Sequence, residues 1–250
     1  RSPARSRKTL FARPASHHNR VQEGDKKLAV TDERRARLAT KLNKLRAYQE
    51  IQNQMGRVVV AINFRQADKV LARFALDRPD VSFEWADEGV FAGPEAVTTI
   101  VRETVGRDPL PGEMVDLQLT TPIIEVADDL GSARAVWWSP GAGATVEGTQ
   151  DPQAIWLWGM FAVDFRPYGD TWKVWHLHYF RYIKCRYDKG WTDDTSLINR
   201  LNLPFHPLAK PSTYHNPYSP LSIRDGLPAA PRPYASDDGI GWMLDRDKTR

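Results

Sequence analysis

The sequence is nearly without cysteine. Its 250 residues include one, Cys185, which excludes an intrachain disulfide and a thiolate metal cluster. A reducing compartment suits such a chain, and a cytoplasmic location is the expectation. Long apolar runs are missing as well. No stretch approaches the roughly 18 residues that a membrane helix needs, and no apolar segment of the secretory kind stands near residue 1. A membrane partner is therefore not expected. Acidic residues are absent before Glu23. Rich in Arg and Ser, that segment has transit-peptide composition, although a disordered tail is the plainer reading.

The formal charge of +4 belongs to that tail. Residues 1–31 hold eight Lys/Arg against two Asp/Glu, and the rest holds 27 against 29. A body so evenly balanced carries no nucleic-acid footprint. With 41% hydrophobic residues, including nine Trp, there is ample material for a core. The expected layout is a disordered basic tail over 1–30, a folded domain over 31–190, and an extended arm over 191–250. Eight of the 18 prolines fall within 201–235, too many for helices or central strands.

Thr31 or Asp32 can cap a helix. Leu38, Leu42, Leu45, Met55, Val59 and Ile62 follow at three- and four-residue steps, an amphipathic stripe with a break expected near Gly56. Helices are also expected over 66–74 and from Pro94 to about Val105, with a strand at 81–85 between them. From Met114 the period changes to two. Strands are expected near 114–126, 132–139, 154–166 and 171–187, with a Gly-rich loop at 140–149. Helices followed by long antiparallel strands make an α+β architecture. The sequence has no internal repeats.

Several words in this order resemble a known family. "FAGPEAV" (91–97), "TTPIIEVADDLGSARAVWWSPG" (120–141) and "WGMFAVDFRPYGDTWKVWHLH" (158–178) are similar to the strand-to-helix entry, central strands and last hairpin of SnoaL-like domains. These belong to the nuclear transport factor 2-like superfamily. "YDKGW" (187–191) and "TYHNPYSP" (213–220) look like a subgroup with an extended C-terminal arm. The resemblance implies a cone-shaped, curved antiparallel or mixed sheet wrapped around N-terminal helices. It implies dehydratase, isomerase, cyclase or lyase chemistry without a cofactor, or a non-catalytic carrier. Its subgroup includes lyases of lignin-derived aromatics that release formaldehyde. The family's usual acid–base groups are absent: the first helix has Val58 and Asn63 where a Tyr and an Asp are common, and the third strand has Leu117 or Gln118 where a His is common.

Strict alternation places Trp172, Val174, His176, His178 and Phe180 on one strand face. Phe161, Val163 and Phe165 join it across the hairpin, and Asp164 falls on the opposite face. That face would line the cavity of a curved sheet. His176 and His178 are then the candidate catalytic acid and base, since imidazole titrates near neutrality. Asn63, Phe161, Tyr187, Lys189, Tyr214 and His215 are the candidate substrate-binding residues, the last four as parts of a lid. A metal site would need His215 as third ligand beside the two histidines; none is expected, nor any cofactor. The opposite face, with Trp156, Trp158, Met160, Trp175, Leu177 and Tyr179, is too apolar to stay wet. A second copy or the arm must cover it, and a homodimer is expected.

These residues lead to a cofactor-independent acid–base enzyme acting on an aromatic or polycyclic small molecule. The alternatives are a non-catalytic small-molecule binder and a protein-interaction module.

Overall fold

A computed structural model of the chain describes residues 17–146, 151–194 and 206–245, with side chains from Thr31 onward. Residues 1–16 of the expected tail lie outside the described residues. The chain divides into two units, Arg1–Asn43 and Lys44–Arg250. Helix α1 runs from His17 to Asn63, so helix begins well before the expected cap at Thr31 and continues through Gly56. Its residues 31–43 are exposed. Leu38, Leu42 and Leu45 are therefore not core, whereas Ile51, Met55, Val58 and Ile62 are buried at helical spacing.

Among its described residues the second unit holds the rest of α1, two shorter helices, α2 (Ala67–Leu71) and α3 (Pro94–Thr104), seven strands and a 3-10 turn, Ile240–Leu244. α3 opens as its sequence dictates: Gly93 takes φ 90 and Pro94 occupies the first turn, where its missing N–H costs nothing. Ala96, Val97, Ile100 and Val101 are its buried stripe.

The strands are β1 (Ser82–Trp85), β2 (Gly89–Ala92), β3 (Met114–Leu117), β4 (Ile123–Val126), β5 (Ala133–Thr145), β6 (Gln153–Tyr168) and β7 (Thr171–Arg186). They form one sheet in the order β2-β1-β7-β6-β5-β3, with β4 also on β5. Only β1 and β7 pair in parallel among these strands. This is the expected α+β architecture, a curved mixed sheet wrapped around N-terminal helices. Among the strands, β2 was not expected from the periodicity, and two segment boundaries also differ. The stretch 114–126 is two strands rather than one, and β5 continues through Pro140 to Thr145 where a loop was expected. The glycines there serve a close approach: a Cβ on Gly141 would lie 2.6 Å from the Asp116 carbonyl oxygen of β3.

The β6–β7 ladder carries the main correction. Its register shifts between Asp164 and Phe165, and again between Trp158 and Gly159. Phe165 pairs with Val174, but Asp164 pairs with His176, so Trp175 is an extra residue in β7. One inserted residue moves every following side chain to the other face. His176, His178 and Phe180 consequently leave the face of Trp172 and Val174 and join Asp164, Ala162 and Met160. Leu177 and Tyr179 take their place inside, with Phe161 and Val163.

The inner face packs Phe74, Trp137, Phe161, Phe165 and Tyr179 against Ile51, Met55 and Val58 of α1. On the outer face Val136, Met160, Ala162 and Phe180 form a second cluster with Trp242 and Met243. The face expected to seat a second copy is thus covered there by the chain's own arm.

Candidate functional site

A cavity of about 300 Å³ opens at the end of the sheet where β7 passes β1. Phe83 and Trp85 of β1, Phe91 of β2, Ile100 of α3, and Ile155 and Leu157 of β6 give it an apolar wall. Phe83 and Trp85 are stacked at 5.0 Å. The wall also carries charge: Arg65, Arg107, Arg181 and Lys184 with Glu88, Glu103 and Glu113. That volume suits a small ligand with a flat apolar body and a polar end.

Six of these seven charges have a named partner. Arg65 follows the C-terminus of α1 in the left-handed region, φ 56, and its guanidinium lies 3.0 Å from Glu113. Arg107 grips the same carboxylate with both terminal nitrogens. The hydrogen bond from Arg107 is the main reason that the Glu113 carboxyl sits below its ordinary range. Glu113 is therefore a fixed anion and a poor base.

Arg181 is buried beside Asp87 and donates to its Oδ2. Burial acts to raise the Asp87 carboxyl, but the positive charges of Arg181, Lys184 and His215 together hold the group below its usual value, Arg181 contributing most. Glu88 stands 3.9 Å away on the cavity side of the same guanidinium.

Glu103 of α3, also in the wall, has a partner from the arm. His206 Nε2 lies 2.9 Å from Glu103 Oε2, while its Nδ1 accepts the Leu208 N–H at 3.1 Å. That acceptor role at Nδ1 puts the imidazole proton on Nε2, facing the carboxylate. The ring rests 5.6 Å from Phe91.

None of the residues expected to form a site lines this cavity among the described residues. His176 is fixed on the outer face, with Nδ1 3.1 Å from Asp164 Oδ2 and Nε2 3.1 Å from the Asp80 carbonyl. His178, also outward, lies with Nδ1 3.3 Å from Glu84 Oε2 and stacks on Phe180 at 3.6 Å. Burial, with a further contribution from His215, lowers its pKa well below the ordinary value. Burial likewise raises Glu84 to about 7, against the hydrogen bonds from Thr213. The His178–Glu84 distance is that of an ion pair, yet both shifts favour the neutral forms. Burial decides, because a charge on either group would be cut off from water.

Asn63 clamps β3 instead, donating to the Leu117 carbonyl at 2.8 Å and accepting the Leu117 N–H at 3.0 Å. Phe161 is wholly buried, 4.5 Å from Tyr179. Tyr187 is exposed beside Trp156, and Lys189 is exposed. Tyr214 packs on Phe180, and His215 lies near His178. Among the described residues no group of three metal-ligating side chains is assembled, and no helix is long and apolar enough to cross a membrane.

Arg181, Glu103 and His206 escaped the sequence reading. Arg181 did leave a signal, as an Arg between the apolar runs of β7; a buried strand tolerates one only when it is paired.

The profile of the SnoaL-like domain family matches residues 43–178, more than half of the chain. The chain belongs to that family. Its place in the nuclear transport factor 2-like superfamily accords with the curved sheet and the helices it wraps. No curated protein matches this SnoaL-like chain. Similar solved structures include a hexachlorocyclohexane dehydrochlorinase, LinA type 2, at 16% identity and TM-score 0.49, covering 58% of this chain and 92% of that one. A protein of Novosphingobium aromaticivorans assigned as a scytalone dehydratase is 15% identical, with TM-score 0.47 and coverages of 60% and 91%. A Streptomyces avermitilis protein assigned as a dehydratase is 13% identical, with TM-score 0.46 and coverages of 55% and 97%. At these identities the likeness concerns the path of the chain, and no residue role is taken from it.

Proposed function

We propose that this SnoaL-like protein is a cofactor-independent acid–base enzyme, of lyase, dehydratase or isomerase type, acting on a small aromatic molecule in the cavity. One observation carries the reading. The wall of an aromatic-lined cavity of about 300 Å³ carries both a carboxylate oriented by an imidazole and a buried guanidinium.

In this reading Phe83, Trp85 and Phe91 hold the ring, and the Glu103 side chain stays 55% exposed. Arg181, with Lys184 also in the wall, faces the oxygen on which negative charge develops, and a buried, preorganised cation is effective there. Glu103 takes the proton, kept in place by His206 Nε2–H. His176 and His178 have no part in it, since both point away from the cavity.

The test is a panel of phenolic and aryl-alcohol compounds, including aryl propanoids with a primary hydroxyl, followed for substrate loss and for formaldehyde release. Glu103→Gln should lower kcat by about 10²–10⁴-fold, the usual value of a positioned acid–base group, and should leave ligand affinity largely intact. Unchanged turnover in Glu103→Gln would remove the mechanism. Tight binding across the panel with no turnover by the wild type would leave the non-catalytic carrier.

A further inference from the structure

A second cavity, of about 390 Å³, lies on the outer face of the sheet, remote in the fold from the cone interior. It is built by the other irregularity of the β6–β7 ladder. Between Trp158 and Gly159 the register shifts again, Trp158 pairing with Ile183 and Gly159 with Arg181. Tyr182 is the extra residue, and the shift turns Tyr182 and Ile183, neighbours in sequence, to the same outer side. They join Trp138 of β5, Trp158 of β6 and Trp191 beyond β7. The arm closes the remaining side. Tyr218 N–H donates to the Tyr182 carbonyl at 2.8 Å, and Tyr182 Oη donates to the Leu227 carbonyl. The wall is therefore stitched from two parts of the chain.

Three of these aromatics are left partly open. Trp138, Trp158 and Trp191 are 37%, 39% and 45% exposed. Large rings grouped around a concave volume are costly to leave wet, and such groupings mark ligand sites. The charge of the lining is one-sided. Its one ionised side chain is Arg224, and no Asp or Glu lines it. The Arg224 guanidinium lies 5.0 Å from the Trp138 ring and 4.5 Å from the Tyr182 ring. Among the described residues it takes part in no ion pair. The nearby Asp225 accepts from Asn216 Nδ2 at 3.0 Å. An exposed cation held over two rings and in hydrogen-bonding contact with the Tyr182 hydroxyl retains N–H donors for a carboxylate carried by another flat ring.

We infer that this outer cavity is a second ligand site, selective for a planar aromatic carboxylate. The ring lies among Trp138, Trp158 and Trp191, and the carboxylate meets Arg224. Because the arm supplies one wall, the ligand also bridges sheet and arm, and its binding raises the stability of the whole chain. The site is separate from the cone cavity and from the chemistry proposed there, and it stands if that chemistry fails.

Calorimetric titration with 2-naphthoate and with its neutral analogue 2-naphthamide tests it. Four proteins are compared: wild type, Arg224→Gln, Trp191→Ala, and Val115→Trp, which fills the cone cavity. Arg224 and Trp191 are both exposed, so their variants should fold. Arg224→Gln should weaken 2-naphthoate about tenfold or more, as expected for loss of a charge-assisted contact, and should leave 2-naphthamide unchanged. Trp191→Ala should weaken both, and Val115→Trp neither. The inference fails if the wild type does not bind 2-naphthoate. It fails too if neither outer variant alters its affinity, or if Val115→Trp alone abolishes binding.

Discussion

Asp164 stands opposite His176 across the β6–β7 ladder and binds two elements at once. Its Oδ2 lies 3.1 Å from His176 Nδ1, and its Oδ1 accepts Trp242 Nε1–H at 2.8 Å. Burial raises the Asp164 carboxyl above its ordinary range despite both contacts. A buried acid so placed fastens the arm to the sheet through a single indole, and Trp242 closes the outer core with Met243.

Trp242 should accordingly act as an anchor for the whole second unit. Trp242→Phe removes the donor and leaves a buried carboxylate oxygen unsatisfied, a loss of roughly 1–3 kcal/mol. Trp242→Ala should cost more, about 3–5 kcal/mol, because a large void is added. Urea unfolding measures both. If Trp242→Ala stayed within about 0.5 kcal/mol of wild type, the arm would not be part of the core.

The Glu84 latch should give stability a pH dependence. Thr213 of the arm donates to Glu84 through its N–H at 2.8 Å and its hydroxyl at 2.9 Å. Burial moves this carboxyl from 4.5 to about 7. A raised acid binds its proton more tightly when folded, so its contribution is complete below 4.5 and is lost as pH rises through 7. The loss is on the order of 3 kcal/mol, at about 1.4 kcal/mol per unit. The depressed His178 works with opposite sign, losing stability as pH falls below its unfolded value. Comparison with Glu84→Gln isolates the acid. The melting temperature of the variant relative to wild type should climb between pH 4.5 and 7 and then level off. A flat difference would show that Glu84 titrates normally.

Arg181 and Asp87 should behave as one unit. Arg181→Met leaves the Asp87 charge buried and unpaired, which costs about 3–5 kcal/mol. Adding Asp87→Asn should restore much of that loss. A double-mutant cycle reads the coupling directly; additive effects would mean that the pair does not interact in solution.

Two glycines should respond in opposite directions to alanine. A Cβ on Gly159 would lie 2.6 Å from both the Phe180 carbonyl and Tyr179 Cζ, whereas one on Gly56 meets nothing within 4 Å. Gly159→Ala should destabilise by about 1–3 kcal/mol through overpacking. Gly56→Ala, within α1, should stabilise by roughly 0.5–1 kcal/mol. Thermal denaturation of the two variants decides it, and equal shifts would contradict the packing described.

The sequence by itself determined the general order, helices first and long strands afterwards, though not the division of 114–126 into β3 and β4. Period-two alternation after Met114 marked the long strands, Pro94 marked the start of α3, and the prolines after residue 200 marked an arm without regular strands. The family words followed those elements and carried the fold with them. Local patterns suffice there, because helix and strand periods are written in neighbouring residues.

The faces of β7 were decided only by the tertiary structure. Trp175 and Tyr182 look like ordinary members of an alternating strand, and a bulge exists only relative to the partner strand that it fails to match. Each bulge inverts the side chains beyond it. The first turned His176 and His178 away from the interior, and the second returned Ile183 outward beside Tyr182. Glu103 and His206 meet for a related reason: more than a hundred residues part them in the chain, and only the docking of the arm against α3 brings the imidazole within 2.9 Å of the carboxylate.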